Sequence, residues 1–157
     1  YWRAHRKFAG VLHFVYLTSS HPEVFTADHF QDIEKLELNP FFADYMGEAF
    51  KPLGVYINFW QPSLKPGQSR EYAVMLTNDE DRPLEGNLSL EFMRPNGEHA
   101  DGKNLPFSLT RLGTHTYRFM LPAPSQPGEY LLRATARQGS SGAPDPTVSR
   151  RKVRVEN

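Results

Sequence analysis

The sequence predicts a mainly β protein. An immunoglobulin-like antiparallel β-sandwich of about seven strands is expected over residues 53–157, preceded by an α/β segment over residues 1–52. Three observations carry this reading. Hydrophobic residues alternate with period two from Leu53 onward, as strands with one buried face require. Turn signals recur at the spacing that short sandwich strands need. Thirteen Pro and eleven Gly supply the turns, while eleven Phe, seven Tyr and two Trp supply a core.

The stretch from Leu53 to Phe92 states the pattern most clearly. Val55, Ile57 and Phe59 alternate with Tyr56, Asn58 and Trp60. After the turn Lys65-Pro66-Gly67, Tyr72, Val74 and Leu76 share one face. A polar elbow runs from Asn78 to Pro83, and then Leu88, Leu90 and Phe92 share a face again. The segment Arg94–Lys103 reads as a loop, because Pro95-Asn96-Gly97 and Asp101-Gly102 are both turn signals. Leu105–Leu109 is a short strand. His115, Tyr117, Phe119 and Leu121 line one face of the next. Gln126-Pro127-Gly128-Glu129-Tyr130 has the form of the turn before a tyrosine corner, in which a Tyr hydroxyl bonds back to the backbone. Tyr130, Leu132, Ala134 and Ala136 then point inward, a Gly/Ser/Pro loop follows over 138–146, and Val153 and Val155 close the sheet.

The first 52 residues have a different period. Tyr1–Gly10 is helical in character, with Gly10 as a stop. Val11–Leu17 is a short, nearly all-apolar run that fits a strand buried on both faces. Thr26–Glu34 is expected to be a short helix capped by Thr26. Asn39-Pro40 opens a better one, since Pro suits the first helical position. Phe42, Tyr45, Met46, Ala49 and Phe50 recur along it at helical steps, and Lys51-Pro52 ends it. The change of period at Leu53 marks the expected domain boundary.

Composition limits the function classes. Formal net charge is zero, with 18 basic and 18 acidic residues, so no global field draws in nucleic acid or an anionic membrane. The basic residues Arg150, Arg151, Lys152 and Arg154 read as the solvated side of a last strand, given their alternation with Val153 and Val155. There is no cysteine, which excludes disulfides, thiolate zinc sites and cysteine nucleophiles. No apolar run approaches the roughly 20 residues of a spanning helix. The chain opens on Tyr1 rather than Met, and is expected to be a piece of a longer polypeptide.

Chemistry-bearing residues are few. His5, His13, His21 and His29 are evenly spaced, but a step of eight is about 80° off register on a helix, and the spacing fits no zinc motif. No metal and no cofactor are expected. Glu34 and Glu37 read as solvated carboxylates, because nothing nearby would raise the pKa of one as a general acid requires. Ser19-Ser20-His21 are sequence neighbours and lack the geometry of a triad. Asp79, Glu80 and Asp81 read as an acidic turn. Tyr56, Asn58 and Trp60 occupy the second face of the first sandwich strand. An aromatic row on a sheet face can stack sugar rings, or it can be the face that packs on the preceding segment.

Two pieces of the chain resemble known proteins. KPGQSREYAVMLTNDEDRPLEGNLSLEF and PSQPGEYLLRATA are similar to the immunoglobulin-like domains that flank catalytic barrels in large bacterial glycoside hydrolases. YWRAHRKFAGVLHFVYL resembles the end of the (β/α)8 barrel of glycoside hydrolase family 2, with Gly10-Val11-Leu12-His13-Phe14 in the place of its eighth strand. The family carries Trp where Leu12 sits and Asn where His13 sits. The resemblance implies a non-catalytic accessory region of a β-galactosidase- or β-glucuronidase-related glycosidase. Its partner would be the catalytic barrel of the parent chain, and the parent would be periplasmic or secreted. The two carboxylates of a retaining glycosidase, about 5 Å apart, would precede Tyr1. This chain would add only rim residues, Tyr16, Thr18, Ser19, Ser20 and His21. The alternative is an independent carbohydrate- or protein-binding module using Tyr56 and Trp60. The candidate binding residues are thus Tyr56, Trp60, Tyr16 and His21, with no catalytic residue. A lone barrel strand leaves backbone groups unpaired, so residues before Pro40 are expected to be the less stable half.

Overall fold

The computed structural model describes residues 1–5, 29–32, 35–139 and 144–157. Among them are ten strands and one helix: β1 (Phe30–Asp32), β2 (Glu37–Leu38), α1 (Pro40–Ala49), β3 (Leu53–Asn58), β4 (Ser63–Leu64), β5 (Ser69–Asn78), β6 (Leu84–Met93), β7 (His99–Leu109), β8 (Thr114–Pro122), β9 (Gly128–Gln138) and β10 (Thr147–Val155). Three strands form one sheet in the order β3-β5-β8, and five form another in the order β4-β10-β9-β6-β7. All pairs in these sheets are antiparallel except β4 with the end of β10.

The two sheets share one core, which makes the architecture β-sandwich-like. Ile57, Tyr72, Val74, Leu76, Phe119 and Leu121 come from the smaller sheet, and Leu88, Leu90, Phe92, Leu132, Ala134 and Val155 from the larger. These are the positions that the period-two pattern assigns to inward faces. Fully burying such side chains stabilises by roughly 1.5–3 kcal/mol each, which is why the alternation fixes the strand register. The sandwich is tied at both sides. Ser149 Oγ accepts from the Ile57 amide at 3.4 Å between β10 and β3. Tyr117 Oη donates to Ser108 O at 3.0 Å and accepts from Ser108 N at 3.1 Å between β8 and β7. The expected tyrosine corner is present: Tyr130 Oη donates to Gln126 O at 2.9 Å.

The structure corrects three expectations. Asp101-Gly102 is no turn but part of β7, which starts at His99 and pairs Asp101 with Phe92 and Gly102 with Glu91. Gly102 is needed there for close approach, since a Cβ would lie 2.9 Å from Glu91 Cγ and 3.0 Å from Leu90 O. The turn before it is real, with Gly97 at φ 86°. Second, Phe30–Asp32 is a strand rather than helix. Phe30 pairs with Leu38 across a hairpin, and Asp32 Oδ1 accepts from Lys35 N at 3.1 Å to make the turn. Third, Arg151 leaves the basic side of β10, because strand parity places it with Val153 and Val155. Residues 1–5 form a tight turn, Ala4 N to Tyr1 O and His5 N to Trp2 O, both 3.1 Å. The predicted strand Val11–Leu17 lies outside the described residues.

Helix α1 forms where expected. Asn39 caps it by accepting from Phe41 N at 3.0 Å, and Pro40 occupies its first turn. It docks on the open edge of β10, of which β4 covers only the last two residues. Glu48 Oε2 accepts from the Val148 amide at 2.8 Å, and Lys51 Nζ donates to Glu48 Oε1 and Pro146 O, both at 2.9 Å. The helix thereby covers part of an edge that would otherwise present unpaired backbone groups.

Candidate functional site

Trp60 follows the end of β3 by two residues. The alternation of Tyr56, Asn58 and Trp60 is as the sequence indicates, but their surroundings differ. Trp60 is 68% exposed, whereas Tyr56 is only 6% exposed. Tyr56 is covered by Tyr1 and His5, each with its ring centroid 5.8 Å away in edge contact. Tyr1 in turn stacks on His5 at 4.3 Å and meets the edge of Trp2 at 5.1 Å. Tyr56 and Trp60 lie 6.4 Å apart, tilted by 53°.

Arg151 joins these rings. Its guanidinium carbon sits 5.3 Å from the Tyr56 centroid and 5.3 Å from the Trp60 centroid, a distance at which a cation is attracted to the ring face. Arg151 Nη1 donates to Arg150 O at 2.9 Å. Arg151 Nε and Tyr56 Oη are buried without hydrogen-bond partners among the described residues. Sequence pattern alone could not find this residue as part of the site, because its role depends on β10 lying beside β3 in the other sheet.

A second cluster fixes residues 1–5 to the rest. Arg3 Nη2 donates to Asp79 Oδ2 at 2.6 Å and to Lys51 O at 2.7 Å, and Nε donates to Asp79 Oδ2 at 3.0 Å. Arg3 Nη1 also donates to Ala49 O. One guanidinium thus neutralises a carboxylate and satisfies carbonyls at the C-terminal end of α1, where cations are favoured. Gly54 leaves room for it, since a Cβ there would lie 3.3 Å from Arg3 Nη2.

The acidic elbow is an ion-paired turn. Asp79 meets Arg3 at 2.6 Å, Glu80 meets Arg82 at 2.6 Å and Asp81 meets Arg111 at 3.1 Å. Among the remaining sequence candidates, Tyr16, Thr18, Ser19, Ser20, His21, His13 and Glu34 lie outside the described residues. Glu37 stands in β2 and is exposed. A groove of about 680 Å³ crosses the outer face of the larger sheet, with Leu131 and Met93 among its lining and Arg133, Lys152, Arg154 and Glu129 around them. Arg154 and Glu129 pair there at 3.3 Å. The sequence gives no sign of it, because its lining is gathered from strands far apart in the chain.

The sequence matches no family model and no curated protein. A solved structure shares the fold. The chain is similar to a transglutaminase of red sea bream, with TM-score 0.50 and 15% identity over 81% of this chain and 19% of that one. It also aligns with a family 123 glycoside hydrolase from Clostridium perfringens, with TM-score 0.49 and 11% identity over 67% of this chain and 27% of that one. A cycloisomaltooligosaccharide glucanotransferase from Paenibacillus sp. aligns with TM-score 0.49 and 13% identity over 64% and 13%. The chain therefore spans less than a third of each of these proteins. At such identities a likeness describes a fold, not a chemistry.

Proposed function

We propose that this chain is a non-catalytic accessory region of a larger bacterial glycoside hydrolase of the family 2 type. In this reading residues 53–157 are an immunoglobulin-like sandwich, and residues 1–52 are the end of the preceding barrel with its connecting helix. The observation that carries it is the joint around Arg3. A segment tethered by a loose linker would need no such contacts. Here residues 1–5 are held at once to the end of α1, to Asp79 in the sandwich elbow and to the Tyr56 ring. That is how an accessory domain is kept in a fixed orientation to what precedes it.

Two measurements test this. The purified chain should release no chromophore from aryl glycosides, and turnover would sink the non-catalytic claim. The coding sequence upstream of Tyr1 should continue in frame with alternating strand and helix patterns and a Glu closing a strand shortly before Tyr1. A start codon directly upstream would leave an independent module. That second reading, a carbohydrate-binding sandwich, is favoured by one observation, the exposed indole of Trp60 beside Arg151.

A further inference from the structure

Arg70 and Arg150 each lie over one aromatic ring, whereas Arg151 lies against two. Arg3, Arg82, Arg111, Arg118, Arg133 and Arg154 each pair with a carboxylate. Arg151 forms no such pair among the described residues and lies instead against two aromatic rings. A ring face holds a guanidinium without neutralising it, so the group keeps its charge, although its Nε is buried and its Nη1 already donates one hydrogen bond to Arg150 O. Beside it stands the most exposed tryptophan of the chain. The aromatic surface continues through buried Tyr56 to Tyr1 and Trp2, which are 53% and 52% exposed.

We propose that the Trp60–Arg151 corner binds a carbohydrate that carries a carboxylate, a hexuronic acid unit. The sugar's C–H face lies on the Trp60 indole, and its carboxylate takes the Arg151 guanidinium. Tyr56 is a positioning residue that supports Arg151 from behind and is covered on its other side by Tyr1 and His5. Two features select this ligand class. The indole calls for a flat face bearing C–H groups, which an acidic peptide side chain does not offer. The unneutralised guanidinium calls for an anion, which a neutral sugar does not offer. This inference rests on the binding-module reading and adds the charge of the ligand to it.

The test is calorimetric titration of the 157-residue chain with three probes: a galacturonic acid trisaccharide, a neutral galactose trisaccharide and a short poly-glutamate peptide. The acidic trisaccharide should bind about ten-fold tighter than the neutral one, the factor expected for one charge-assisted contact. That advantage should shrink as salt is raised. Arg151→Gln should bring the two sugars to equal affinity, and Arg151→Lys should recover part of the difference. Trp60→Ala should weaken both sugars while near-ultraviolet circular dichroism shows the fold retained. Equal binding of both sugars by the unaltered chain would overturn the acid preference and leave the binding module standing. Failure of both sugars would overturn both. Peptide binding as tight as that of the acidic sugar would mark the corner as a contact for acidic protein segments and also overturn the proposal.

Discussion

The sandwich and helix α1 both carry large aromatic side chains, yet they hold them in opposite ways. In the sandwich Tyr72, Phe92 and Phe119 are almost wholly buried between two sheets. In α1 and its C-terminal cap, Phe41 is 73% exposed and Tyr45 and Phe50 are about half exposed. The helix is fixed instead by polar contacts: Glu48 to the β10 edge, Lys51 to Pro146, Arg3 to its C-terminal end, and Arg150 over the Tyr45 ring at 5.7 Å. A strand face acquires its partner from the opposite sheet along its whole length. A single helix at a sheet edge has too little apolar surface opposite it, so side-chain hydrogen bonds set its position.

That contrast predicts the largest difference between two substitutions of one chemical kind. Phe92→Ala should lower unfolding free energy by about 4 kcal/mol, the cost of emptying a fully buried aromatic site. Phe41→Ala should change it by no more than about 0.5 kcal/mol. Urea denaturation of both variants decides the matter. Equal losses would mean that α1 belongs to the same cooperative core.

A polar group inside the sandwich sets the next effect. Asn78 is fully buried at the end of β5. Its Nδ2 donates to Arg82 O at 2.7 Å and to Thr110 O at 2.9 Å, and its Oδ1 accepts from Glu80 N at 2.9 Å. It thus joins the elbow after β5 to the turn before β8. Asn78→Ala would leave these backbone groups without partners and should cost about 3 kcal/mol. Asn78→Asp keeps the acceptor but sets a carboxylate oxygen against the Arg82 and Thr110 carbonyls in a buried site, and should cost at least as much as Asn78→Ala.

The legible part of this molecule was the part governed by period two. Val74, Leu90 and Leu132 had to face inward once alternation was seen, and Tyr130 had to find a backbone acceptor once its turn was recognised. Asp101-Gly102 was misleading because the same dipeptide serves a turn and a strand that must admit a neighbour closely. The Phe30–Asp32 strand was hidden because its pairing is set by the Asp32 turn rather than by periodicity. Of the site, Tyr56 and Trp60 could be named from strand parity. Their unequal exposure could not, since it depends on Tyr1, His5 and Arg151 arriving from elsewhere in the chain.

A smaller effect carries a pH signature. Tyr72 Oη is buried without a hydrogen-bond partner among the described residues. Burial pushes its hydroxyl above the usual tyrosine pKa, with Arg70 opposing. Tyr72→Phe removes an unsatisfied polar atom and should stabilise the fold by about 1 kcal/mol. The sign with pH follows from linkage. Because the folded-state pKa is raised, the unfolded chain loses this proton first, so stability is fully present below about pH 10 and falls as pH rises beyond it. The Phe variant should show a shallower alkaline decline. An unchanged decline would assign it to other tyrosines.

The smallest global change should come from Arg3→Ala, and it tests the contrast most directly. Arg3 and Asp79 are both partly exposed, and pairs of this kind contribute little to overall stability, about 1 kcal/mol or less. The same side chain nevertheless holds Ala49 O, Lys51 O and residues 1–5 together. Its loss should therefore raise amide exchange in the last turn of α1 and at Ala4 and His5, while amides of β5, β6 and β9 keep their protection. Faster exchange throughout the sandwich would mean that Arg3 supports the core itself. Unchanged exchange in α1 would mean that Glu48 and Lys51 hold the helix without it, and the joint proposed to fix this region to what precedes it would lose its central residue.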